Sequence, residues 1–150
     1  MGYRRGLIAA VAAPVVGAGA LSGCVTNVDT SATFAAMVTI TGEADEVWAD
    51  SGECVWADAV HLAPGYAVSI SAGSAATTSF APLRVESIEP SPGNGTGTCT
   101  YTAYFEEIAA NQAGYELWVG NNLRQRSFTA DQLKDGPTYR LEGAGPRSGR

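Results

Sequence analysis

An all-β fold, an antiparallel β-sandwich of about seven or eight short strands, is what this sequence predicts. Two observations carry it. Apolar and polar residues alternate with period two over several short stretches, most clearly 33–41 and 98–106, as in half-buried strands. Turn-forming residues interrupt those stretches roughly every 8–12 residues. The competing helix, Glu106 to Ala113 ending at Gly114, is short and weakly periodic, so it is read as a loop or a single turn.

In chain order, Phe34, Ala36, Val38 and Ile40 fall on one face of a first strand, with Thr33, Thr39 and Thr41 on the other. Gly42 to Asp45 turns it. A second strand holds Cys54 and Trp56 on one face. A third, Tyr66-Val68-Ile70, is entered through the turn dipeptide Pro64-Gly65. Residues 72–79 are small and polar, and read as a loop to a strand around Leu83 and Val85. The breaker Pro90-Ser91-Pro92-Gly93-Asn94-Gly95 precedes the clearest strand. There Cys99, Tyr101, Ala103 and Phe105 oppose Thr98, Thr100, Thr102 and Tyr104. Tyr115, Leu117 and Val119 repeat the pattern. Gly120-Asn121-Asn122 tolerates the positive φ of a hairpin turn, and Arg124 to Phe128 returns as a charged edge strand. Thr129-Ala130-Asp131-Gln132 has the outline of a capping box, which predicts one helical turn through Leu133 and Lys134. Tyr139 and Leu141 close the domain.

Ahead of all this, Arg4 and Arg5 precede a run of small apolar residues from Gly6 to Ala20, closed by Leu21-Ser22-Gly23-Cys24. The run is too rich in Gly and Ala for a spanning helix, and Pro14 interrupts it. This start resembles the signal and lipobox of bacterial lipoproteins. The resemblance implies cleavage before Cys24, acylation of its thiol by groups such as palmitate, and anchorage on the outer face of a cell membrane. More than one chain is needed for stable attachment. The parts are then a signal peptide, 1–23; a polar tether, 24–32; the sandwich, 33–143; and a loose tail, 144–150. An ordinary secreted protein with a cysteine near its cleavage site is the alternative. The arginine pair leaves both the general and the twin-arginine export routes open.

Cleavage removes Arg4 and Arg5, leaving seven basic against 15 acidic side chains, a formal charge of −8. Lys134 is the one lysine. Nucleic-acid binding, driven by Lys and Arg neutralising phosphate, is thereby excluded. With Cys24 acylated, Cys54 and Cys99 remain as a pair in an oxidising compartment. A disulfide between them would close a loop of about 46 residues and stabilise by about 4 kcal/mol. Two buried free thiols are the other reading.

The order Gly52-Glu53-Cys54, Asp58, Pro64-Gly65-Tyr66-Ala67-Val68, Cys99-Thr100-Tyr101-Thr102, Tyr115-Glu116-Leu117-Trp118-Val119 and Phe128-Thr129-Ala130-Asp131-Gln132-Leu133 spans most of residues 50–142. It resembles the small two-cysteine β-sandwich domains of actinobacterial lipoproteins and secreted proteins of unknown function. The high Gly, Ala and Thr content resembles exported actinobacterial proteins as well. Gln132 stands where those domains usually carry an acid, and residues 72–79 lack their Asp-Gly hairpin. The resemblance implies location and a sandwich of immunoglobulin-like or transthyretin-like topology, and no catalytic residue.

The chain offers no converging catalytic set. His61 is the only histidine, and no Gly-x-Ser-x-Gly elbow occurs. Glu43, Asp45, Glu46, Asp50 and Glu53 lack the spacing of a calcium loop and read as a solvated acidic face. No metal or cofactor is implied. Glu106-Glu107, joined by another carboxylate, would be the starting point for glycoside hydrolysis. Of the three tryptophans, Trp48, Trp56 and Trp118, Trp56 belongs to the core with Cys54, and Trp118 points away from Leu117 and Val119. Arg124 and Arg126 share a strand face and suit either an anionic group or edge protection. Asn94-Gly95-Thr96 matches a glycosylation sequon, which means little in a bacterial lipoprotein. The expectation is a lipid-anchored, non-catalytic binding or structural module of the cell envelope. Trp118, Arg124 and Arg126 form its contact surface toward an envelope protein or glycan. An envelope-acting hydrolase and a partner adding a strand to the Arg124–Phe128 edge are the alternatives.

Overall fold

A computed structural model describes residues 32–56, 60–73, 77–120 and 124–142. The signal, Cys24, the tether up to Ser31, Asp58, the Asn121-Asn122 turn and the tail lie outside them. Ten strands and one short helix are found among the described residues. The strands are β1 (Thr33–Ala44), β2 (Glu46–Trp48), β3 (Glu53–Trp56), β4 (Val60–Leu62), β5 (Ala67–Ala72), β6 (Thr77–Pro90), β7 (Gly97–Ala109), β8 (Tyr115–Val119), β9 (Arg124–Phe128) and β10 (Thr138–Leu141). The helix, α1 (Ala130–Lys134), precedes β10. Seven strands form a sheet in the order β10-β1-β7-β6-β5-β8-β9, and β2-β3-β4 form a second.

The predominance of β structure follows the alternation in the chain, but the expected all-antiparallel arrangement of seven or eight strands needs correcting. β10 runs parallel to β1, pairing Thr39 with Thr138 through Gly42 with Leu141. The large sheet is therefore mixed, and it curls into a nearly barrel-shaped form. Chain length explains the curl. A flat seven-stranded sheet would be about 29 Å wide, at about 4.8 Å per strand spacing. The segment from Phe128 to Thr138, with its helical turn, reaches only about 22 Å. It joins the two outermost strands, so those edges must approach one another. Because the strands from β1 to β9 alternate in direction across the sheet, β10 returns antiparallel to β9 and therefore lies parallel to β1.

α1 makes that crossing as the sequence foretells. Gln132 N donates to Thr129 Oγ1 at 3.2 Å, and Thr129 N donates to Gln132 Oε1 at 2.8 Å. The amide of Gln132 thus does the work of the more usual glutamate. Leu133 is buried, and the Lys134 ammonium lies 5.2 Å over the Phe34 ring.

One core runs through both sheets. β1 contributes Ala36, Val38 and Ile40; β7 contributes Cys99, Tyr101, Ala103 and Phe105; β8 contributes Tyr115, Leu117 and Val119. The small sheet adds Cys54, Trp56, Val60 and Leu62. Cys54 and Cys99 form a disulfide, Cα atoms 6.7 Å apart, that ties the small sheet to the centre of the large one. Tyr101 adds a second tie, its hydroxyl directed at Gly52 O (2.7 Å) and Leu62 O (3.2 Å). Burial, with the charge of Glu53 behind it, pushes this phenol up to about 12. Gly42 is required where β1 meets β10, since a Cβ there would collide with the Leu141 carbonyl and crowd Trp56 Nε1.

Two segments differ from expectation. β6 begins at Thr77, inside the stretch read as loop, and β7 continues to Ala109, so Glu106 to Ala109 is strand rather than a turn. These two extensions create the feature described next.

A candidate binding groove on the outer face

β6 and β7 pair from Pro90 opposite Gly97 to Leu83 opposite Ala103, and there the pairing register ends. Both strands continue, β6 pairing onward with β5 and β7 with β1. The sheet thus splits along a seam, which holds a groove of about 520 Å³ on the outer face. That volume lies within the range of small-molecule sites.

Alternation dictates what lines it. Ala81 and Leu83 point inward, so Phe80, Pro82 and Arg84 point outward from β6. Phe105 points inward, so Tyr104 points outward from β7, across the groove. A β-bulge then changes the rhythm. Ala36 pairs with Phe105 and Phe34 with Ile108, leaving Glu106 and Glu107 together opposite Ala35. Two residues facing one is the signature of a bulge, and both glutamates are exposed in the groove as a result. The Ser79 hydroxyl donates to the Glu107 carbonyl across the seam.

The groove walls are unusually apolar for outward positions: Phe80 is 70% exposed and Tyr104 54%. Met37, opposite Tyr104 on β1, extends the patch. On the other side Phe80, Ser69 and Trp118 stand in register across β6, β5 and β8. Trp118 is half-buried, and its Nε1 donates to Ser71 Oγ at 2.9 Å.

The anticipated trio is not brought together. Arg126 is opposite Leu117, which puts it on the core-facing side of β9 while Trp118 faces outward; the backbone of Arg124 is paired with Val119. Arg126 sits at the exposed sheet edge with its guanidinium 5.6 Å from the Phe128 ring centroid. The side chain of Arg124 lies outside the described residues. An inward-side charge on an outermost strand is a known protection against edge-to-edge pairing.

His61 is exposed on β4. Glu43, Asp45, Glu46 and Asp50 are exposed, and Glu53 is half-buried. Among the described residues no group of three or more His, Cys, Asp or Glu is placed to hold a metal ion. No described helix is long and apolar enough to cross a membrane. Sequence reasoning placed Tyr104 outward but did not single out Phe80, Arg84 or Tyr104. Phe80 follows directly on the stretch 72–79 read as loop, and an alternation extended back through Leu83 and Ala81 turns it outward. No protein-family model, curated protein or solved structure matches this chain.

Proposed function

We propose that this chain is an actinobacterial-type lipoprotein, exported, acylated at Cys24 and held on the outer face of the cell membrane. There it acts as a non-catalytic binding module of the cell envelope. Its two sheets are read as the layers of a β-sandwich whose larger layer has curled. Its contact face is the groove in the β6–β7 seam, together with Trp118 on the same outer surface.

The observation that carries this reading is the one-sided chemistry of the groove. Phe80 and Tyr104 offer wide, exposed ring surface, whereas both carboxylates, Glu106 and Glu107, issue from β7. The opposite wall, β6, contributes Phe80, Pro82 and Arg84 and no acid. Glycoside hydrolysis requires carboxyl groups on two sides of the scissile bond. A tether of nine residues, 24–32, spans at most about 32 Å. It enters at Thr33, whose partner Ala109 ends the strand bearing the two glutamates. The tether therefore enters beside the end of the strand that bears the two glutamates.

The test is co-sedimentation of the detergent-solubilised lipoprotein with delipidated envelope polymer. The wild type is expected in the pellet and the Phe80→Ser/Tyr104→Ser double variant in the supernatant, with unchanged circular dichroism and no fragments released from the polymer. Equal pelleting of both proteins, a soluble wild type, or release of fragments would contradict the reading.

A further inference from the structure

The groove carries an ordered set of charges that narrows its ligand. Arg84 is opposite Thr102 at the closed end of the seam. Tyr104 lies two residues further along β7 and Glu106 four, so the carboxylates are about 13 Å from the guanidinium end. β6 runs antiparallel, which brings Phe80 level with the acidic end. Arg84, Glu106 and Glu107 form no salt bridge with another of the described residues, where Lys134 pairs with Asp131.

A partner strand does not fit between the walls. Insertion would need about 9.6 Å between the two backbones, twice the normal spacing. The Ser79 hydroxyl spans the seam to the Glu107 carbonyl directly, so the backbones are closer than that. Nor is a divalent cation suited, since calcium takes six to eight oxygen ligands and two ring faces supply none. Two aromatic faces beside two carboxylates are instead the setting in which an ammonium group is held, by cation–π attraction and charge. A guanidinium is matched to a carboxylate or phosphate.

We propose that the groove binds an elongated zwitterion, with an ammonium group seated among Phe80, Tyr104, Glu106 and Glu107 and an anionic group on Arg84. This rests on the groove being the contact face. A straight chain carrying an amine at one end and a carboxylate at the other has the required form.

The experiment titrates the detergent-solubilised lipoprotein with straight-chain ω-amino acids of increasing length, and with the matching alkylamines and alkanoates, by calorimetry and chemical-shift mapping. Affinity is expected to rise with length until both charges are reached, exceeding that of the matching alkylamine by about tenfold. Shifts should centre on Tyr104 and Phe80. Glu106→Gln/Glu107→Gln should lower affinity for both amine classes by about tenfold or more. Arg84→Gln should erase the advantage of the ω-amino acid while leaving the alkylamine unchanged. Glycerophosphocholine, a lipid headgroup with its charges only a few bonds apart, should bind no better than the alkylamine. Binding independent of length, tighter binding of the headgroup, or unchanged affinity in the double glutamine variant would overturn the proposal. If the amino acids fail while retention on envelope polymer still requires Phe80 and Tyr104, the ligand class falls and the contact face stands. If both fail, the groove itself is not the contact face.

Discussion

Replacing Cys54 and Cys99 together with alanine should lower the free energy of unfolding by about 4 kcal/mol, read in urea unfolding as a lower midpoint with a steeper slope, because the uncrosslinked unfolded chain exposes more surface. The number follows from the ring the bond closes: a sequence separation of 45 removes that much loop entropy from the unfolded chain. Both cysteines are fully buried, so truncation to alanine adds a small packing loss. Against a typical total of about 5–15 kcal/mol, the reduced domain is marginal. The small sheet has no pairing to the large one in strand order and is joined to it by the disulfide, by Tyr101 and by packing. Its residues are therefore the first whose amide protection should collapse. A variant as stable as the wild type would mean that the small sheet docks without this bond.

Trp56→Ala should cost about 3–5 kcal/mol, the usual loss for a large aromatic in a filled core. Trp56 is essentially without solvent exposure and is the bulkiest of the fully buried side chains among the described residues. It packs against Tyr101, ring centroids 6.5 Å apart, and beside Gly42 at the β1–β10 junction. Its indole Nε1 is buried with no hydrogen-bond partner among the described residues. An unsatisfied buried donor is itself costly, so Trp56→Phe sheds that penalty and should lose less than half as much as Trp56→Ala. Thermal or denaturant unfolding of the two variants gives the comparison. Equal losses would show that the N–H is in fact satisfied.

Much of this architecture was legible in the chain because half-buried strands advertise themselves. The faces of Phe34 to Ile40, Cys99 to Phe105 and Tyr115 to Val119 were readable by alternation alone. So was the capping turn at Thr129, whose signal is purely local. What depended on register was not legible. The parallel placement of β10 is decided by which edge the Phe128-to-Thr138 crossing reaches, and that is a property of the curled sheet. Glu106 and Glu107 broke the alternation and so read as the end of a strand, whereas the bulge opposite Ala35 lets the strand continue. The groove exists because pairing stops at Leu83 and Ala103, a boundary no single strand reveals. Phe128 belongs to the core and Arg126 shares its alternation, which sets the face of Arg126 opposite to that of Trp118.

The most direct test of an anchored, disulfide-closed envelope module is the intact mass of the protein extracted from native membranes without reductant. The account predicts a chain beginning at Cys24, heavier by its acyl groups, and lighter by the two hydrogens lost in joining Cys54 to Cys99. A chain retaining Met1, or an unacylated one with two free thiols, would contradict it.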